Sequence, residues 1–311
     1  MGLQIDIAAI LANHAALAAH APTARAAAVV KADAYGLGAA TVAPALYRAG
    51  VRDFFVALAQ EGRAIRPLLP PDARINVLSG HMAGADLTGL TPVLNSPEQF
   101  FRDRAMRPGQ PFAIQLDSGM NRLGMEAAEW AANTAQLATF RAMTDGCGVP
   151  RSLAATGGIL LGPDYHFDIV RPGVGLYGGM PFADARGVVT LSLRVIQTRD
   201  VRAGEMVGYG ASWHAPRDCR IATVDAGYAD GILRSLSGKG AHLFAGDTAC
   251  PIVGRVSMDL ITVDVTALAT VPDRLTLIGA HQPIDRLADI AGTIGYEVLT
   301  SLGLRYERTY L

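Results

Sequence analysis

The chain has 311 residues, 50% of them hydrophobic and 18% charged, which is enough apolar material for a large core in one or two domains. Its 27 basic and 28 acidic side chains give a net charge of −1, which excludes an electrostatic case for nucleic acid or an anionic membrane and leaves a small-molecule ligand as the expectation. Cys147, Cys219 and Cys250 have neither CxxC nor Cys/His spacing, and the N-terminal segment lacks a basic signal region and a membrane-length apolar run, so the chain reads as cytosolic with no metal site or disulfide framework.

In chain order, short apolar runs at 29–30, 54–56, 75–78, 92–94, 112–116, a weaker one at 152–155, and 167–170 alternate with helical stretches. That alternation predicts a parallel α/β domain. In "AAVVKADAYGLGA", Lys31 sits at the downstream end of the first run, where parallel barrels place their chemistry. It is either a lysine whose head escapes from a strand end or an amine available for a Schiff base with a carbonyl cofactor and for proton transfer. "NSPEQF" marks a helix start, with Ser96 as N-cap, Pro97 at the first helical position and Gln99 as the capping amide.

"QLDSGMNRLGM" brings Asp117, Asn121 and Arg122 to the end of another strand, and arginine suits bidentate carboxylate recognition as well as a structural ion pair. "VRPGVGLYGG" carries Gly173, Gly175 and Gly178 at GxGxxG spacing, but Pro181 and a β run follow where a dinucleotide fold requires a helix. A glycine turn offering amides to a phosphate remains, with Arg171 beside it; a plain turn with a surface arginine is the alternative. Gly, Pro and polar residues cluster at 178–187, which divides the chain into a domain of residues 1–182 and another of 183–311. The second alternates as "VVTLSLRVI", "CRIATVDA", "ACPIVGRVS", "LITVDV" and "RLTLIG", predicting a mainly antiparallel β domain. Within it, "VDAGYADGILR" sets Tyr228 in a glycine-flanked turn and "GRVSMDLITVDV" sets Met258 and Asp259 before a strand.

Taken together, "VVKADAYGLG", "FFVA", "PVLNS", "LDSGMNRLG", "FDIVRPGVGLYG", "GYADG", "VGRVSMD" and "GTIGYEVL" resemble the alanine racemases, fold-type III enzymes of pyridoxal 5'-phosphate (PLP), in family order and along almost the whole chain. The resemblance implies a TIM-type (β/α) barrel followed by the β domain, and interconversion of L-alanine and D-alanine that supplies peptidoglycan. It implies that Lys31 carries PLP, that Tyr35, the Thr156 hydroxyl, the Gly173 and Val174 amides and Tyr296 hold its phosphate, and that Arg171 donates to its pyridine nitrogen. A cation at that nitrogen restrains the cofactor as an electron sink and favours clean proton exchange. Racemisation requires bases on both faces of Cα. By resemblance Lys31 serves one face and Tyr228 of a second subunit the other, in a head-to-tail homodimer, while Arg122 and the Met258 amide orient the substrate carboxylate. A tyrosine with its ordinary pKa of about 10 needs neighbouring positive charge to act as a base at neutral pH.

Three departures from the family pattern stand out. Between Gly124 and Arg151 the sequence reads as one helical stretch where the family has a further barrel strand, bearing a histidine that packs on PLP; His166 belongs to the next strand's approach and is not that residue. Gln115 stands where the family often has a lysine modified as a carbamate, and its amide is expected to brace the Arg122 guanidinium. Ala155 replaces an asparagine, while Thr156 keeps the hydroxyl. With seven candidate strands, three outcomes follow: a working racemase, a PLP-binding homologue with little activity, or a PLP-homeostasis carrier or related PLP enzyme. "GYADG" and its β domain speak against a barrel-only carrier.

Overall fold

The structure, a computed structural model, describes residues 1–118, 122–126 and 133–311. It falls into two compact units, one formed by Leu11–Leu176 and the other by Met1–Ile10 with Tyr177–Leu311. The opening strand β1 (Gly2–Ile5) therefore lies with the C-terminal β unit, whereas a cut after residue 182 would assign it to the barrel.

In the unit of 11–176, β2 (Arg25–Ala26) and β3 (Ala28–Val29) form one interrupted strand, followed by β4 (Asp53–Val56), β5 (Arg74–Val77), β6 (Thr91–Leu94) and β7 (Ala113–Ile114). β3 to β7 pair in chain order, all parallel, with Ala28 opposite Phe54 and Phe54 opposite Ile75. All four residues of β4 are buried, as expected of parallel strands covered on both faces. β8 (Leu116–Asp117) prolongs β7, and β10 (Ile169–Val170) returns to pair in parallel with β2. The weak 152–155 run joins β10 through a parallel bridge between Ala155 and Arg171, with the Arg171 amide donating to the Ala154 carbonyl at 2.9 Å. Six strands of a (β/α) barrel thus carry full ladders, counting β2 with β3 and β7 with β8 as one strand each, and 152–155 lies beside them.

The barrel seam falls between β8 and residue 152. Among the described residues no backbone pairing joins those two edges. β8 instead pairs in parallel with β9 (Met125–Glu126), in a region whose sequence predicts no strand. The cause is local: Gly124 has φ +127°, and a Cβ on it would lie 2.6 Å from the Asp117 amide nitrogen. This close approach folds the chain back along 116–117, and two residues are too few to carry a readable period. A helix follows at Asn133–Thr144. The predicted helix at 97 runs over Pro97–Met106; Ser96 Oγ accepts from the Gln99 amide at 3.2 Å, and Gln99 Oε1 accepts from the Asn95 amide at 3.0 Å.

The β unit continues with β11 (Val189–Val201), the small antiparallel pair β12 (Met206–Val207) and β13 (Trp213–His214), then β14 (Cys219–Val224), β15 (His242–Ala245), β16 (Thr248–Val253), β17 (Ile261–Asp264), β18 (Arg274–Ile278) and β19 (Glu307–Tyr310). Its main sheet has the order β14-β17-β16-β15-β18-β11-β1-β19, and β14 also pairs with β11. One long strand closes that ring: Leu191–Arg194 of β11 face β18, and after a bulge Gln197–Val201 face β14. Pairing is antiparallel except between β1 and β19. Among the described residues no helix is long and apolar enough to cross a membrane.

Leu3 is fully buried between β11 and β19. Leu3→Ala is expected to destabilise the protein by about 2–5 kcal/mol in urea unfolding, the usual cost of such a cavity. A loss below about 1 kcal/mol would place β1 outside the packed sheet.

Candidate active site

The first strand ends where its backbone is held on both sides, the Val29 amide donating to the Pro172 carbonyl at 3.0 Å and the Val30 amide to the Phe55 carbonyl at 2.9 Å. Lys31 comes next, and Ala32, Asp33, Ala34 and Tyr35 then have φ of 51°, 54°, 53° and 58°. A left-handed turn costs non-glycine residues about 1–2 kcal/mol each, so it persists only where bonding over-determines it. Here Gly36 N donates to the Ala32 carbonyl at 2.8 Å, Gly38 N to the Asp33 carbonyl at 2.9 Å, and Ala39 N to Asp33 Oδ1 at 2.7 Å. Burial lowers the Lys31 ammonium pKa, the Arg122 charge lowers it further, and the Glu61 carboxylate opposes them. More of the amine is therefore neutral, as a nucleophile or base requires.

The left-handed turn buries Tyr35 against the glycine segment after β10. A Cβ on Gly173 would stand 2.6 Å from Tyr35 Oη and 3.8 Å from Val29 Cβ, so only bare backbone fits there. The Gly173 amide donates to Thr156 Oγ1 at 3.0 Å, and Val174 opens a one-turn helix that ends at Tyr177. Arg171 donates to the Ser152 hydroxyl and, at 3.2 Å, to the Leu153 carbonyl, with its guanidinium 5.8 Å from the Phe55 ring centroid. Burial pushes its pKa down to about 10. An amine, two hydroxyls, a glycine cradle and a half-buried guanidinium at adjoining strand ends suit a phosphorylated carbonyl cofactor.

Arg122 is exposed beyond β8 and acts on Lys31 by charge. Gln115 does not reach its guanidinium as expected: Nε2 donates to the Leu123 carbonyl at 2.9 Å, bracing the backbone beside Arg122. Asn121 lies outside the described residues. His166 is a buried packing residue whose Nε2 lies 2.8 Å from the Ile159 carbonyl oxygen.

In the β unit, Tyr228 and Met258 come together. Tyr228 N donates to the Ser257 carbonyl and Ala229 N to the Met258 carbonyl, both at 3.0 Å. A Cβ on Gly227 would lie 2.2 Å from the Ser257 carbonyl oxygen, so glycine is needed where the two turns touch. Arg305 spans them: Nε lies 2.7 Å from Oδ1 of buried Asp230, Nη2 3.0 Å from its Oδ2, and Nη1 2.8 Å from Oδ1 of Asp259. Both Tyr228 and Met258 are exposed. Tyr296 lies on the helix Gly295–Ser301, where burial and then Asp285 raise its pKa.

Sequence reasoning missed Ser152, Glu61 and Arg305, which act through neighbours distant in the chain. One available signal went unused: Lys31 and Lys239 are the chain's only lysines. Lys239 belongs to the β unit.

Comparison with known proteins agrees along the chain. The family pattern described as alanine racemase, N-terminal domain, matches residues 5–135 and 131–181, and that described as alanine racemase, C-terminal domain, matches 188–310. The two N-terminal stretches overlap at 131–135, which puts the break in the pattern between Gly124 and Arg151, where the sequence reads as one helical stretch. Alanine racemases of Jannaschia sp. and Cereibacter sphaeroides are 55% and 56% identical, covering 98% and 99% of this chain and 97% of each relative. The Jannaschia alignment has 335 positions for 98% of 311 residues, so roughly 30 of them face a gap in this chain. The crystal structure of alanine racemase from Bartonella henselae with covalently bound pyridoxal phosphate matches with TM-score 0.93 at 37% identity, covering 100% of this chain and 99% of that one. The biosynthetic alanine racemase of Pseudomonas aeruginosa matches with TM-score 0.90 at 33% identity, with the same coverage.

Gly173→Ala is expected to weaken PLP binding about tenfold or more, the equivalent of a 1–3 kcal/mol overpacking, because the added methyl displaces the Tyr35 hydroxyl. Unchanged affinity in a PLP titration would remove Gly173 from the cofactor cradle.

Proposed function

The chain belongs to the alanine racemase family, and from that footing we propose that it is a PLP-dependent enzyme interconverting L-alanine and D-alanine by two-base proton transfer. The observation that supports this best is the lysine at the barrel mouth, with its lowered pKa, beside the Tyr35–Gly173 cradle. PLP, when bound, supplies the electron sink that makes the Cα proton of alanine removable.

The chain's own residues do the rest. Lys31 Nζ holds the cofactor and, once released, moves a proton on one face of Cα. Tyr35, the Thr156 hydroxyl, the Gly173 and Val174 amides and Tyr296 bind the phosphate. Arg171, held by Ser152 and Leu153, would supply the cation at the pyridine nitrogen. Tyr228 Oη moves the proton on the opposite face, supplied by a second copy of the chain in a head-to-tail homodimer. Arg122 and the Met258 amide hold the substrate carboxylate. The barrel unit of Leu11–Leu176 is the cofactor domain, and the unit of Met1–Ile10 with Tyr177–Leu311 brings the second base. We place the enzyme in the cytoplasm, where its D-alanine feeds peptidoglycan. The match of the C-terminal pattern over 188–310 speaks against a carrier consisting of the barrel alone.

The shared site has a direct test. Lys31→Ala is expected to lose the absorbance of lysine-bound PLP and all racemisation, and Tyr228→Phe to keep the absorbance while losing most racemisation. Mixing the two after reversible dissociation should restore about a quarter of wild-type activity, since half the dimers are mixed and each carries one intact site. Absence of recovery in demonstrably mixed dimers would contradict sharing.

A further inference from the structure

Glu61 begins as an ordinary helix-capping residue. It is the third residue of the helix Ala59–Ile65, and its Oε2 accepts from the Ala57 amide at 2.7 Å and the Leu58 amide at 3.1 Å, as a capping glutamate does. Its other oxygen does something capping does not require. Oε1 accepts from the Ala32 amide at 2.8 Å, 29 residues away and immediately after Lys31. That amide opens the run of four left-handed residues, none of them glycine. One carboxylate therefore ties the end of β4 to the point where the chain leaves the regular strand.

The charge matters as well as the geometry. Arg122 from the segment after β8 and Glu61 from its helix are the two charged side chains that act on Lys31, and they act in opposite directions. Asp33, in the turn itself, is occupied with the Ala39 amide. Burial and Arg122 both disfavour the ammonium, and Glu61 is the side chain that works against them. A base in a racemisation must accept a proton and return one, so its pKa has to stay near the working pH rather than fall far below it.

We propose that Glu61 is a positioning residue for the reaction: its carboxylate clamps the left-handed turn that aims Lys31 and balances the Arg122 charge on the Lys31 amine. This rests on Lys31 being the cofactor lysine and base.

The test uses the holoenzyme with Glu61→Gln and Glu61→Asp, both close enough in size to leave the helix its cap. Borohydride reduction followed by peptide mapping first shows whether PLP is on Lys31; label on Lys239 or on neither lysine in the wild type overturns the underlying reading and the proposal with it. Where Lys31 is labelled, two readouts follow. Removing a negative neighbour makes the ammonium less favourable, so in Glu61→Gln the limb of the kcat–pH profile that reports free Lys31 amine should move about 0.5–1 pH unit lower. Amide hydrogen exchange over 31–36 should speed up about tenfold, the loss of roughly one charge-assisted hydrogen bond. Glu61→Asp, which keeps the charge, should return the limb towards the wild-type position. A variant that loses thermal stability while limb and exchange stay unmoved would assign Glu61 to capping alone and overturn the proposal. So would a Glu61→Asp limb displaced as far as that of Glu61→Gln.

Discussion

Taking an ammonium out of water disfavours its charge, and a guanidinium nearby disfavours it further. Lys31 experiences both, and its place at the end of a buried parallel strand is what imposes them. Everything else at the barrel mouth can be arranged around that one amine. The left-handed turn buries Tyr35, the Gly173 backbone comes close to its hydroxyl because no side chain stands in the way, and Arg171 is fixed by the neighbouring residues 152 and 153. The same burial that lowers Lys31 lowers Arg171, so the site gathers cations whose charge is costly unless anionic groups join them. A phosphate and a substrate carboxylate are such groups.

Among the described residues the barrel seam lies beside this chemistry. The cradle rests on β2, β3, β4 and β10 with the bridged 152–155 segment, all connected through backbone hydrogen bonds. The seam lies between β8 and residue 152, so it borders that bridged segment on one side and Gln115, whose amide holds the Leu123 carbonyl, on the other. β9 covers part of the exposed edge of β8, and Gln115 supports the loop through the Leu123 carbonyl without supplying the negative charge of a modified lysine.

Much of the fold was readable. Apolar runs at 54–56, 75–78 and 92–94 are buried parallel strands, and the alternating runs after residue 188 are strands of the β unit. β1 and β19 escaped because four residues each, one strand as polar as Glu307–Tyr310, give no period to recognise. The placement of β1 with the C-terminal sheet is a long-range pairing and has no local signal. Around the site, the motifs identified positions but not partners. Nothing in "KADAY" announces four positive φ values, since alanine, aspartate and tyrosine are not turn glycines. Glu61 read locally as a helix-start acid, and only the fold shows its second oxygen on Ala32. Arg305 likewise joins the Tyr228 and Met258 turns from near the C-terminus, through carboxylates 75 and 46 residues away.

The most direct measurement is solvent deuterium incorporation at Cα of L-alanine and of D-alanine, with purified protein and added PLP. A site with Lys31 and Tyr228 on opposite faces predicts deuterium in the product of inversion from either enantiomer. Borohydride-reducible PLP on Lys31 with no exchange into either enantiomer would contradict it, and would mean that a barrel open between β8 and residue 152 holds the cofactor without carrying out the reaction.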